Sequence, residues 1–408
     1  MGGVWRALCG DSLIWVDFAS RQKVVAAPVI CLYAVAMMTD TEFEIFLVAA
    51  PGTETSLRDE AREKGFQSPK ISPGGVTITS SWTEVWRANL QLRGAARVLA
   101  RIGEIRAFHL AQLDKRARKF PWGEVLRPDV PVKVEVTTNK KSKIYHAGAA
   151  IQRFEKAITE ELGAPISAEA VVRIKVRIDD NLCIISVDTS GEALHKRGHK
   201  PAVGKAPMRE NLAAMFLHQC GYDGNEPVVD PMCGSGTFVI EAAEIAMGLI
   251  PGRSRSFAFE QLADFDEAAW QQMRDAGQGA ETEMRFYGSD RNASVVEAAT
   301  TNAERAGVDG CTVFTHQAVS DLTPPDGPPG LVIVNPPYGA RIGNKKLLYA
   351  LYGALGKTLS ARFSGWRVGI VTSEAGLAKA TELPFLPTGA PVAHGGIKIR
   401  LFQTAPLP

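Results

Sequence analysis

At 408 residues, with 45% hydrophobic residues and a formal net charge of +2, the chain can bury two sizeable cores and divides into two or three domains. Its six cysteines (Cys9, Cys31, Cys183, Cys220, Cys233, Cys311) are scattered, with no Cys-x-x-Cys pair and no histidine partners at metal spacing. A zinc site and a disulfide framework are therefore not indicated, and a reducing, cytoplasmic setting fits best.

The chain begins with an oddity. Val24 to Met38 is a nearly unbroken apolar run of 15 residues preceded by Arg21 and Lys23. It is like the core of a signal peptide, is short for a membrane span, and has no clear cleavage site after it. Met37 and Met38 immediately precede the first convincing strand, so the preferred expectation is an upstream start codon or a dispensable extension over residues 1–36.

From Glu42 strands and helices follow one another. Phe43 to Ala49 reads as a strand, Pro51-Gly52-Thr53-Glu54 as a turn into a helix ending at Gly65, Gly75 to Thr79 as a second strand and Trp82 to Leu92 as a helix. Further strands are expected at Val132–Val136, Val171–Val176 and Cys183–Val187, with a helix from Gly148 to Leu162 between the first two. This is an α+β pattern of two small layers.

The middle of the chain is basic: between residues 91 and 200, Lys and Arg outnumber Asp and Glu by 21 to 13. Asn139-Lys140-Lys141-Ser142-Lys143-Ile144-Tyr145-His146 leads into a helix that carries Arg153. Cations beside a helix N-terminus suit phosphate, and a plain polar loop is the competing reading. Arg173, Lys175 and Arg177 fall on one face of a strand. Leu194-His195-Lys196-Arg197-Gly198-His199-Lys200 reads as a basic, flexible junction.

Beyond the junction the rhythm becomes regularly alternating. A helix over Arg209–Cys220 precedes a strand at Pro227–Asp230, a helix at Thr237–Gly248, a strand at Met284–Gly288 and a helix at Ala293–Ala306. Strands at Cys311–Phe314 and Leu331–Val334, a helix at Lys345–Phe363 and a strand at Val368–Val371 complete it. Such alternation predicts a doubly wound parallel sheet with helices on both faces.

Three motifs sit at strand ends in that region. Asp230-Pro231-Met232-Cys233-Gly234-Ser235-Gly236-Thr237 joins the first strand to its helix. Gly234 and Gly236 permit a tight turn and close ligand approach, and the helix N-terminus offers free N–H groups. No Lys follows the glycines, so this is not a phosphate-binding Walker loop. Asp230 at the strand tip repels a pyrophosphate and suits an ammonium or sulfonium. Asp290, in Gly288-Ser289-Asp290, can bind both hydroxyls of a ribose, or it can cap the next helix together with Asn292.

Asn335-Pro336-Pro337-Tyr338 closes the apolar strand Leu331-Val332-Ile333-Val334. It presents an amide, a carbonyl on a rigid turn and an aromatic face, which suits a planar nitrogen substrate such as a nucleobase amine or a carboxamide. An ordinary strand-to-loop exit is the plain alternative. Arg341 beyond it could hold a flanking phosphate.

The order Asp-Pro-x-Cys-Gly-Ser-Gly-Thr, Gly-Ser-Asp and Asn-Pro-Pro-Tyr-Gly resembles class I S-adenosylmethionine-dependent amino-methyltransferases. Together with the α+β region and the Leu194–Gly198 junction, it resembles the THUMP-domain RNA methyltransferases, in particular the bacterial 23S rRNA guanine-N2 branch, over about residues 42 to 405. The fold implied is α/β, a Rossmann-like class I methyltransferase sheet (194–408) preceded by an α+β ferredoxin-like/THUMP RNA-binding region (41–193) and an N-terminal extension (1–40). The resemblance implies S-adenosylmethionine held by Asp230, Cys233, Gly234, Gly236 and Asp290, and the target amine held by Asn335, Pro336 and Tyr338. Ala318 stands where the family carries an Asp on the adenine, with Gln317 or Asp321 as substitute. The implied partner is RNA, rRNA first and tRNA second, with neither metal nor membrane. The same tetrad also serves adenine, cytosine and glutamine-amide methylation, and a non-catalytic RNA-binding protein with a vestigial methyltransferase fold is the rival from another class.

Overall fold

The structure is a computed structural model that describes residues 8–9, 12–13, 42–199, 208–277, 279–339 and 345–408. Residues 1–40 form a unit of their own, from which two short antiparallel strands are described, β1 (Leu8–Cys9) and β2 (Ser12–Leu13). The apolar run Val24–Met38, Lys200 and Arg341 lie outside the described residues. No described helix is long and apolar enough to cross a membrane.

The first layer system contains β3 (Phe43–Val48), α1 (Glu54–Glu63), β4 (Lys70–Ser72), β5 (Gly75–Ser80), α2 (Trp82–Gln91), β6 (Arg97–Arg106), α3 (Leu110–Ala117), β7 (Val132–Thr138), α4 (Ala147–Leu162), β8 (Val172–Asp179) and β9 (Leu182–Asp188). Its seven strands make one sheet in the order β4-β5-β3-β6-β9-β8-β7. All pairings are antiparallel except β7 with β8, which α4 joins as a crossover. Alternate residues bury on one face: Ile45, Leu47, Val98, Ala100, Ile174, Val176, Ile185 and Val187 are 0–2% exposed. On the opposite face Glu44, Arg101, Ser186, Lys175 and Glu135 lie side by side across five strands.

The strand β6, ten residues long, pairs with both β3 and β9 and has no counterpart among the expected strands. Its register slips between Arg101 and Gly103, a bulge that breaks the period-two pattern by which strands are recognised. A side chain at Gly103 would sit 2.7 Å from the Phe120 ring, so the bulge is packed where it lies.

The second layer system contains α5 (Glu210–Gln219), β10 (Val228–Asp230), α6 (Thr237–Ala246), α7 (Glu267–Asp275), β11 (Phe286–Asp290), α8 (Ala293–Ala306), β12 (Thr312–His316), β13 (Leu331–Val334), α9 (Lys345–Arg362), β14 (Arg367–Thr372), α10 (Ala375–Lys379), β15 (Val392–His394) and β16 (Ile397–Gln403). The order is β12-β11-β10-β13-β14-β16-β15. The first five strands are parallel and β16 is antiparallel to β14. Strand order reverses between β10 and β13, and ligands of such sheets bind at that switch point, beyond the carboxyl ends. The expected parallel sheet is present, with β15, β16, α7 and α10 as unanticipated additions.

The junction differs from its expectation as a flexible basic segment. Arg197 and His199 are 2% and 4% exposed. Arg197 donates to Glu241 at 3.0 Å and to the Arg93 carbonyl at 2.8 Å, while Arg93 donates to Glu241 at 3.0 Å and Glu244 at 3.1 Å. Arg253 reaches Glu244 at 2.6 Å. Arg255 donates to the carbonyls of Ser190, Glu192, Ala193 and Lys196, wrapping the segment around its guanidinium. Buried ions without partners cost several kcal/mol, so these cations are fixed by the carboxylates of α6. Phe257, Phe259 and Trp270, from beyond α6, pack into the core of the first sheet.

Candidate active site

Three loops leave the carboxyl ends of adjacent parallel strands. The first follows β10, whose residues Val228, Val229 and Asp230 are all buried. Asp230 is 2% exposed and accepts from the Met232 N–H at 3.1 Å. Burial chiefly, together with the Asp290 carboxylate, pushes its carboxyl up to about 8. The chain then turns through Gly234 (φ 51°) and Gly236 (φ 85°), left-handed conformations that favour glycine. Gly236 is the N-cap of α6. A Cβ at Gly234 would meet nothing within 4 Å, leaving the turn open on the side a ligand approaches. At Gly236 a Cβ would meet Ala299, Ile240 and Phe314 at 3.2 Å, so that glycine serves packing as well as turning.

The second loop follows β11 and is stitched to the first. Cys233 N–H donates to the Ser289 carbonyl at 2.9 Å, and Gly234 N–H donates to Asp290 Oδ2 at 3.2 Å. Asp290 Oδ1 also accepts from Asn292 N–H at 3.0 Å. The cap of α8 is Asn292, which accepts from Ser294 N–H, so capping does not consume Asp290. Cys233 is 6% exposed and its thiol is raised by burial, which makes it a packing residue of the turn and not a nucleophile. Asn302 of α8, fully buried, donates to the Ser235 carbonyl at 3.1 Å and braces the turn from behind. No motif in the sequence marks it.

The third loop carries the tetrad. Leu331 to Val334 are 0–1% exposed, which makes β13 a central strand. Asn335 Oδ1 is buried and has no hydrogen-bond partner among the described residues. A buried amide acceptor without a donor costs about 1–3 kcal/mol, and a ligand N–H removes that cost. Pro336 is buried behind it, and Tyr338 is partly buried where two core clusters meet. Burial raises the Tyr338 phenol, so the ring stays neutral.

Beside these loops lies a cavity of about 200 Å³ lined in part by Tyr287, Ser289, Thr315, Gln317, Leu322 and Pro324. Ser289 Oγ is buried without a partner among the described residues. Gln317 N–H donates to the Asp290 carbonyl at 3.0 Å, and its side-chain amide donates to the Asp321 carbonyl at 2.8 Å. Asp321 itself is exposed, with its carboxylate on Ser320. Of the two substitutes expected for the missing Asp, Gln317 reaches the cavity. Among the described residues no group of three or more His, Cys, Asp or Glu could hold a metal ion.

The basic expectations divide. Lys175 pairs with Glu135 at 2.6 Å, Arg173 lies 3.7 Å from the same carboxylate, and Arg177 pairs with Asp179 at 3.0 Å. That strand face is neutralised by its neighbours. The 139–146 loop is different: Ser142 and Ile144 are buried as anchors, while Lys140, Lys141, Lys143 and Tyr145 are exposed. Asn181 Oδ1 accepts the Lys143 N–H at 2.9 Å and holds the loop in place. Tyr145 is 74% and Phe108 42% exposed, with the Lys143 ammonium 5.6 Å from the Phe108 ring centre.

The RMKL-like methyltransferase-domain family (UPF0020) matches residues 197–386, and the RlmL ferredoxin-like domain matches residues 44–99. A Synechocystis sp. protein provisionally named an RNA methyltransferase is 31% identical over 371 residues, covering 88% of this chain and 95% of that protein. The ribosomal RNA large subunit methyltransferase K/L of Vibrio campbellii is 33% identical over 342 residues, covering 80% of this chain and 48% of its own length. The chain thus spans about half of that relative. The crystal structure of SMU.472, provisionally named a methyltransferase and complexed with SAH, superposes with a TM-score of 0.81 at 26% identity, covering 90% of this chain and 99% of that one. The chain belongs to the RMKL-like family of S-adenosylmethionine-dependent RNA methyltransferases.

Proposed function

We propose that the chain methylates the exocyclic amine of an RNA base, guanine N2 of 23S rRNA first among the candidates. The observation that carries this reading is the unpartnered, buried Asn335 Oδ1 at the tip of β13, one strand from the Asp230–Gly236 turn. An acceptor in that position suits an NH2 group.

The residues fit the cofactor. The open side of Gly234 accommodates a ligand against the backbone, Asp290 offers a carboxylate to ribose hydroxyls, and Gln317 and Ser289 offer polar atoms toward the base. Asp230 lies where a positive charge would stabilise its carboxylate form. S-adenosylmethionine, when bound, supplies an electrophilic methyl on a sulfonium. Asn335 Oδ1 and the Pro336 carbonyl orient the attacking amine and stabilise the positive charge that grows on its nitrogen. As the new N–C bond forms, the S–C bond breaks, and the methylated nitrogen then loses a proton to water. No strong base is required, so positioning carries the catalysis. Tyr338 stacks on a base withdrawn from its helix or lying in a loop.

The exposed Lys140, Lys141 and Lys143 with Tyr145 and Phe108 support an RNA footprint of phosphate contacts and base stacking. The test is transfer of labelled methyl from S-adenosylmethionine to rRNA and tRNA lacking the modification, with Asn335→Ala as control. Label in rRNA, absent with the variant, is expected. Label confined to tRNA would move the substrate. Cofactor-independent RNA binding without transfer would favour a vestigial fold.

A further inference from the structure

An acidic side chain, Glu374, follows the strand next to the one that leads into the tetrad. Strands β13 and β14 are parallel neighbours in the register Leu331–Arg367 through Val334–Ile370. Continued one residue past the end of β13, this register sets Asn335 beside Val371, and Glu374 lies four residues beyond Ile370 as Tyr338 lies four beyond Val334. Adjacent strands are about 4.8 Å apart, so the two exits open on the same crevice. The main chain of Glu374 starts α10, with its carbonyl accepting from Leu377 at 3.0 Å and its N–H donating to Thr372 Oγ1 at 3.3 Å. The carboxylate takes no part in that cap. It is partly buried and has no hydrogen bond or ion pair among the described residues.

Tyr352 of α9 ties this carboxylate to the tetrad. It is 0% exposed, and its phenol is raised first by burial, against an opposing Thr372 hydroxyl, with Tyr338 and Glu374 adding to the rise. Tyr338 and Glu374 are thus both within electrostatic reach of that hydroxyl. Asn335 Oδ1, at the end of β13 and on the same exit as Tyr338, is the second unpartnered acceptor.

Resting on the reading of an RNA amine as substrate, we propose that Glu374 is a specificity residue of this site, accepting the ring N–H next to the exocyclic NH2 that Asn335 holds. Two adjacent acceptors match an edge with two adjacent donors. Guanine has that edge, at N1–H and N2–H. Adenine and cytosine place a lone pair beside their amine, which would face the carboxylate with no proton between. Rejection of an edge that leaves a buried polar group unpaired is strong, and a hydrogen bond to a charged acceptor corresponds to about 10²-fold in rate.

The experiment uses the purified full-length chain, S-adenosylmethionine and an RNA stem-loop spanning the nucleotide that the methyl-transfer assay identifies. That position carries guanine, 2-aminopurine or adenine in turn. 2-Aminopurine keeps the exocyclic amine and lacks the N1–H. The wild type is expected to prefer guanine over 2-aminopurine by about 10²-fold in kcat/KM, and Glu374→Ala to bring that ratio near one, with cofactor affinity unchanged within about three-fold. Glu374→Gln, which retains an acceptor oxygen and the side-chain shape, is expected to keep an intermediate ratio, and a purely structural role would not move the ratio at all. A wild-type ratio in Glu374→Ala, or in Glu374→Gln should the alanine variant not fold, overturns the assignment and leaves the amine reading standing. Transfer by the wild type to adenine instead of guanine overturns it together with the guanine reading.

Discussion

Gly234 donates its backbone N–H to Asp290 Oδ2 at 3.2 Å, so the glycine turn after β10 and the acid ending β11 are one mechanical unit. The same carboxylate fixes the start of the next loop through Asn292 N–H. Removing the acid therefore loosens the turn as well as the proposed ribose contact. Asp290→Ala is expected to weaken S-adenosylmethionine binding by more than ten-fold in calorimetry. Gly234→Ala, which adds only a strained φ in open space, is expected to cost about 1–2 kcal/mol of stability in urea unfolding.

Asn335→Ala is expected to abolish methyl transfer and to leave cofactor affinity within a few-fold, because its amide is proposed to hold the substrate amine and not the cofactor. Its loss also removes an unpartnered buried acceptor, so the melting temperature should not fall. Near-normal turnover in this variant would contradict the acceptor role.

The buried cation Arg197 should be among the most sensitive positions in the chain. Burial raises the Glu241 carboxyl, but Arg197 and Arg93 outweigh it and hold that carboxyl below the usual range. Arg197→Met takes from the buried Glu241 one of its two cations and leaves Arg93 alone to compensate it, and a loss of about 3 kcal/mol is expected by denaturant unfolding. Arg127, exposed and paired with Asp129, is the control; its replacement should leave the unfolding midpoint nearly unchanged.

Asp230 gives the site a pH dependence of defined sign. Its carboxyl is raised from 3.8 to about 8 in the folded chain. The folded protein therefore holds that proton more tightly than the unfolded one. The stabilisation is complete below about pH 4 and is lost as pH rises through 8. Asp230→Asn should thus gain stability over the wild type on going from pH 5 to pH 8 in the absence of cofactor. A sulfonium favours the carboxylate form, so wild-type cofactor affinity should rise from pH 6 to pH 8, while that of Asp230→Asn stays flat.

Neutralising Lys140, Lys141 and Lys143 together is expected to weaken RNA binding and to lower the salt slope by about two, since each lost phosphate contact removes roughly 0.7 for single-stranded RNA. Tyr145→Ala should weaken binding without changing the slope, because stacking releases no counterions. Filter binding across salt concentrations reads both.

Much of the catalytic layer was legible because its signals are local. The run Leu331–Val334 is fully buried and ends in two prolines, and the glycines of the turn take the positive φ their spacing implied. What escaped was set by distant residues. Strand β6 hid behind its bulge at Gly103. Arg197 read as flexible because charge-rich segments ordinarily face water, and its partner Glu241 stands 44 residues away on α6. The neutral pairing of Lys175 with Glu135 lies across two strands 40 residues apart. Asn302 belongs to no motif, and helix packing alone brings it to the glycine turn.

The most direct measurement is nucleoside mass spectrometry of rRNA and tRNA from cells with and without the gene. The account predicts that one N2-methylguanosine disappears from the 23S rRNA fraction and returns with the wild-type chain but not with Asn335→Ala. Unchanged methylated nucleosides in both RNA classes, or loss of a methyl group from any atom other than an exocyclic amine, would contradict it.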